Sequence, residues 1–169
     1  ASSWMFIIGM GAALFTGQDD IAAIPEMIAS YALGNDIDAS ATASWNGGAG
    51  FNPLDGASTN FAGLGHSIDK LTINRGSESD VGLFRTVSGN VRDLTLSNAR
   101  ITGQMNVGGI AATLGGTLSN VHMTGSVSGS GAFVGGLAGT VYNGLIRYSS
   151  SAADVTGLTV VGGLAGSVS

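Results

Sequence analysis

The sequence predicts an all-β protein: a parallel β-helix, or β-solenoid, in which one repeat of 26 to 27 residues makes one coil. Three observations carry the prediction. The phrase Val-Gly-Gly-Leu-Ala-Gly stands at Val134 to Gly139 and again at Val161 to Gly166, with a near copy from Val107 to Ala112. Glycine supplies 29 of 169 residues alongside 44% hydrophobic residues and 2 prolines, a composition too apolar for disorder and suited to short strands with tight corners. Apolar residues alternate at period two inside each repeat, so each strand buries one face.

The repeats align on Val81-Gly-Leu-Phe84, Val107-Gly-Gly-Ile110, Val134-Gly-Gly-Leu137 and Val161-Gly-Gly-Leu164, at intervals of 26, 27 and 27. A glycine and an alternating strand follow each phrase: Gly89 to Leu96, Gly116 to Met123, and Gly144 to Tyr148. A short closing segment ends each unit, as Arg100 to Gly103, Ser126 to Gly129 and Asp154 to Gly157. Such a unit cannot cover its own apolar face, so coils must stack about 4.8 Å apart with equivalent residues in register. The expected inward rows are Ile68, Val91, Leu118 and Leu145; Leu71, Leu94, Val121 and Tyr148; and Val81, Val107, Val134 and Val161. The phrase glycines serve either a corner with positive φ or close approach of backbones between coils.

Residues 31–169 form the solenoid, with repeats starting near 81, 107, 134 and 161; residues 1–30 form an apolar segment and a short helix, acting as a cap or as an element between subunits. The run Trp4 to Phe15 is shorter than a membrane span, which needs about 20 residues. It matches the apolar core of a secretion signal without the basic leader, or an anchor, but a buried strand or end cap is the favoured reading. Asp19 to Ser30 places Ile21, Ile24 and Ile28 at helical spacing, although Pro25 fits a helix only in its first turn. Ala39 to Asn60 is a polar, glycine-rich excursion carrying Trp45 and Phe51, the expected aromatic contacts if the protein binds glycans.

Six cations against eleven anions, net −5, argue against nucleic acid, which requires clustered positive charge. The absence of cysteine removes disulfides, thiolate metal sites and cysteine nucleophiles. Asp36 and Asp38 share one face of a strand and could bind Ca²⁺ or act as acid and base, yet no evident oxygen set completes a calcium site and Asx turns explain them as well. His66 and His122 lack a second histidine at ligand spacing, so neither marks a metal site; His66 belongs to a coil and His122 faces solvent. No Gly-x-Ser-x-Gly elbow occurs, and the recurring glycine pairs precede neither lysine nor helix, which excludes a phosphate loop. A flat threonine face for ice is interrupted by Arg92, Asn120 and Arg147. Catalytic, cofactor-binding and metal residues are accordingly expected to be none, with calcium at Asp36 and Asp38 the weak alternative.

The phrase VGGLAG, the strand after it and the V-x-G closure together resemble the GLUG repeat. The upstream blocks YALGNDIDAS, GFNPLDG, FAGLGHSIDKLTINR and VGLF are similar to segments that precede such repeats in bacterial surface adhesins of the filamentous-haemagglutinin type. The resemblance covers about residues 20 to 169 and leaves out the first 18 residues and any amino-terminal secretion motif. It implies an extracellular or cell-surface β-solenoid, structural or adhesive and not an enzyme. The last repeat runs only nine residues to Ser169, so its apolar cross-section is expected to meet the rest of a longer chain or another copy. In the second case Trp4, Phe6, Ile7 and Ile8 of one subunit would cover Val161 and Leu164 of the next, giving a filament. The rival is a carbohydrate-binding or polysaccharide-cleaving β-helix.

Overall fold

The computed structural model describes residues 4–8, 11–15, 30–56 and 60–169 and shows a parallel β-solenoid of about five turns. An antiparallel hairpin, β1 (Trp4–Ile8) and β2 (Gly11–Phe15), precedes it. The first coil holds β3 (Ser30–Leu33), β4 (Ile37–Asp38), a 3-10 stretch over Ser40–Gly48 and β5 (Leu54–Gly56). The second holds β6 (Asn60–Ala62), β7 (Ser67–Asp69), β8 (Thr72–Asn74) and β9 (Phe84–Val87). Three phrase-bearing coils follow. They are β10 (Asn90–Gly103), β11 (Val107–Gly108) and β12 (Ala111–Leu114); β13 (Thr117–Gly129), β14 (Ala132–Gly135) and β15 (Ala138–Val141); and β16 (Leu145–Arg147), β17 (Ser150–Thr156), β18 (Thr159–Gly162) and β19 (Ala165–Val168).

Three sheets run along the solenoid axis. The longest carries β16, β13, β10, β6, β3, β1 and β2 in that order, the second β11, β14 and β18, and the third β5, β9, β12, β15 and β19. The strands of successive coils pair in parallel; the hairpin is antiparallel to its neighbour, with Phe6, Ile7 and Ile8 opposite Leu33, Ala32 and Tyr31, and an isolated antiparallel bridge joins Gly50 to Ile73. Trp4–Ile8 and Gly11–Phe15 are therefore strands, and β1 is paired with β2 on one side and β3 on the other. The helix expected over Asp19 to Ser30 lies outside the described residues except for Ser30, which opens β3.

Single residues in the left-handed region turn the coil from one wall to the next. Asp80, Asn106, Phe133 and Val160 stack at the corner just before each phrase, with φ of 59°, 57°, 62° and 53°. Asp93, Asn120 and Tyr148 repeat the device at a second corner, and Lys70, Asn98 and Gly125 at a third. Asn and Asp suit this conformation because their short side chains bond locally. The phrase glycines are not the corner residues. Their requirement is closeness: a Cβ on Gly135 would stand 2.6 Å from Gly166 N, and one on Gly108 would stand 2.7 Å from Ala138 Cα. Of the two expectations for these glycines, close approach holds and positive φ does not.

The row Val81, Val107, Val134 and Val161 is in register as expected. The other two rows need correction. Val91 stacks between Phe61 and Leu118, while Ile68 lies between Ile37 and Leu96. Ile146, not Leu145, continues from Leu118. Leu71 lies one residue before Thr72, which pairs with Arg100, and so sits beneath Ala99 and not Leu94. Tyr148 projects outward, 81% exposed. The cause is length: Tyr142 to Gly144 holds one residue more than the corner Gly115 to Gly116 below it, and a shift of one residue exchanges inside for outside.

Candidate functional site

The core is apolar, so chemistry is confined to the outer walls and the corners. The first region is the excursion. Thr42, buried, donates through its hydroxyl to Ala39 O at 2.6 Å and accepts from Thr72 N at 2.9 Å, which ties the 3-10 stretch to β8. Gly50, at φ 80°, returns the chain, and Phe51 N bonds Thr72 O at 2.8 Å. Phe51 is thereby sealed in the core at 6% exposure, with the half-buried Trp45 ring 6.4 Å away. Arg75 clamps the same segment, donating to Phe51 O, to Asn52 Oδ1 and to Glu78 Oε1. Of the two aromatics expected at a glycan contact, Phe51 is instead a plug of the core, and Trp45 is half-buried against it.

Asp36 and Asp38 do point outward on either side of buried Ile37. Each carboxylate is engaged by a backbone amide: Asp36 Oδ1 accepts from Ser67 N at 2.8 Å and Asp38 Oδ1 from Ser40 N at 3.0 Å. Those amides hold both carboxyls below the usual range, with His66 Nδ1, 3.4 Å from Asp36, adding to the effect there. Asp69, in register with Asp38, accepts from Asn98 Nδ2 and Ser97 Oγ, both at 2.7 Å, and is lowered by them. Among the described residues no group of three His, Cys, Asp or Glu side chains converges as a metal set.

A hydrogen-bonded chain crosses three coils at the second corner. Asn120 Nδ2 donates to Asp93 Oδ1 at 2.9 Å; Asn120 Oδ1 lies 3.1 Å from His122 Nε2, and His122 Nδ1 lies 2.8 Å from Ser150 Oγ. With the amide so placed, His122 donates from Nε2 and accepts the Ser150 hydroxyl proton at Nδ1. His122 alternates with buried Val121 and Met123, so it faces outward as expected.

Around that corner, on the outer face of β6, β10, β13 and β16, is a groove of roughly 430 Å³. One of its rows is Asn60, Asn90 and Thr117, with Asn90 Nδ2 donating to Asn60 Oδ1 at 3.1 Å. The other row is Arg92, Ser119 and Arg147, in strict register. Arg147 Nε donates to Ser119 Oγ at 3.3 Å, and Arg92 leans on Asp93 at 3.2 Å. In the sequence these arginines read only as interruptions of a threonine face, because their alignment needs the one-residue insertion to be known.

Five parallel coils with polar rows outside an apolar core define a repeat β-solenoid, a class in which the core fixes the shape and the walls carry recognition. No protein-family model matches the chain, so membership of the GLUG-repeat family is not established. In sequence it is similar to halomucin of Haloquadratum walsbyi (strain DSM 16790 / HBSQ001), 44% identical over 112 aligned residues. That match takes in 60% of this chain and spans 1% of halomucin. In structure it is similar to a Bacteroides ovatus protein described as a "putative immunoglobulin A1 protease", with a TM-score of 0.64 at 19% identity over 88% of this chain and 58% of that one. At that identity the likeness is one of fold.

Proposed function

We propose that the chain is a stretch of an extracellular, cell-surface β-solenoid whose work is mechanical and adhesive: a stiff rod that stacks coil on coil and displays its walls outward. One observation carries the reading. Val81, Val107, Val134 and Val161 stack in register through four successive coils beside a continuous apolar core, the arrangement that makes such a rod stiff. The similarity to a stretch of halomucin supports an extracellular role.

The reading is non-enzymatic. The carboxylates of Asp36 and Asp38 hold backbone amides, which opposes their use as the acid and base of a polysaccharide-cleaving helix. The likeness to the Bacteroides ovatus protein raises proteolysis as the competing activity, with Ser150 and His122 as its only hydrogen-bonded serine and histidine pair among the described residues. Electron microscopy and light scattering at rising concentration test stacking, with end-to-end rods expected. Monodisperse monomers at high concentration overturn the filament, and cleavage of immunoglobulin A1 that is lost in Ser150→Ala overturns the non-enzymatic reading.

A further inference from the structure

We infer that the groove on the outer face of β6, β10, β13 and β16 is a binding site for a short anionic saccharide, held at its carboxylate or sulfate groups by Arg92 and Arg147. This goes beyond the mechanical role and does not depend on it.

The geometry supplies the two anchors. Arg92 and Arg147 occupy one row with Ser119 between them, so their backbones are two rungs apart, roughly 10 Å. Small neighbours leave both long side chains room to swing over the groove: Ala62 is in register on one side of Arg92 and Ser119 on the other. Arg147 Nε is steadied by Ser119 Oγ, and among the described residues no carboxylate pairs with Arg147. A guanidinium held by Nε still presents its terminal nitrogens, the fork that matches carboxylate and sulfate oxygens.

The opposite row decides between anions. Asn60, Asn90 and Thr117 offer amides and a hydroxyl, which serve the many hydroxyls of a sugar. A nucleic acid would call for a positive field and a succession of aromatic platforms, whereas the groove offers a single half-buried ring, Tyr31, which can equally stack on a sugar. The protein carries net −5, so its overall field repels a long polyanion and favours a short ligand gripped locally at the two arginines.

The experiment is isothermal titration of the protein with an oligogalacturonate for carboxylate, a heparin-derived oligosaccharide for sulfate, a neutral malto-oligosaccharide and a single-stranded oligonucleotide. Saturable binding of at least one anionic saccharide is expected, weakening with salt, with the tighter of the two identifying the anion recognised. Arg92→Ala and Arg147→Ala should each weaken it about tenfold, as for loss of one charge-assisted contact, and the double variant should abolish it. Arg100→Ala, an exposed cation outside the groove, should leave it unchanged. All three arginines are exposed, so unchanged circular dichroism and melting are expected. The inference is overturned if neither anionic saccharide saturates, if the neutral sugar binds equally, if the oligonucleotide binds more tightly, or if the double variant binds as the parent does.

Discussion

Asn106 donates through Nδ2 to Asp80 Oδ1 at 2.5 Å, one coil below, and both residues sit in the left-handed region at the same corner. The same amide group also reaches Thr113 Oγ1 at 2.9 Å. Corner conformation and bonding between coils thus come from one side chain. Asn106→Ala should lose the hydrogen bonds, together with the short polar side chain that lets asparagine hold φ 57° more easily than alanine, costing about 2 kcal/mol by thermal or urea unfolding. Asn106→Gly should recover the backbone share of that loss.

Higher in the same stack the corner is occupied by Val160, a β-branched residue at φ 53° and 48% exposed. Little apolar burial would be lost on replacing it. Val160→Asn should therefore raise the unfolding free energy by about 1 kcal/mol, the strain of a branched side chain in that region. A lower melting temperature in the variant would contradict this account of the corner.

Gly136 and Gly163 occupy the same place in successive phrases but face different neighbours. A Cβ on Gly136 would press on Ser151 Cβ at 2.8 Å and collide with Gly163 O, whereas one on Gly163 meets nothing within 4 Å. Gly136→Ala should destabilise by about 3 kcal/mol, while Gly163→Ala should leave the unfolding of the single chain nearly unchanged. If coils stack on the last one, Gly163→Ala should also shorten or abolish the rods seen by electron microscopy.

Acid should weaken the amino-terminal coils first. Asp36 is lowered by the Ser67 amide, Asp38 by the Ser40 amide and Asp69 by Asn98 and Ser97. A carboxyl whose folded pKa lies below its unfolded value stabilises the fold fully above the unfolded value, and that contribution disappears as pH falls through the folded pKa. Melting temperature should be flat from neutral pH down to about 4, the ordinary carboxylate value, and then fall. Asp69→Asn should start lower and show a shallower fall.

Val81, Val107, Val134 and Val161 could be placed from sequence because the phrase recurs at near-constant spacing: the residue gained between Tyr142 and Gly144 is given back between Thr156 and Thr159, before the next phrase. The walls beyond the phrase were harder. Gly63 to His66 makes a wide turn through Leu64 and Gly65, both at positive φ, and this displaces Ile68 from the row of Val91 to that of Leu96. The asparagine and aspartate corners left a signal in the sequence, since Asp80 and Asn106 each precede a phrase valine, but Phe133 and Val160 in the same place concealed it. Trp45 and Phe51 looked available because the excursion is polar; Thr42 and Arg75, which fold it onto the core, act over a separation in sequence that no local pattern reports.

The extra residue between Tyr142 and Gly144 has an effect outside the core. It turns Leu145 outward, so that a row running Asn60, Asn90 and Thr117 ends in a leucine at 51% exposure, while Ile146 takes over inside. A corner of this fold therefore works like a keyboard shift: one added position exchanges which letters of a strand are shown to the surroundings and which are kept within. Surface identity can then change from coil to coil by length alone, with the apolar stack beneath left whole.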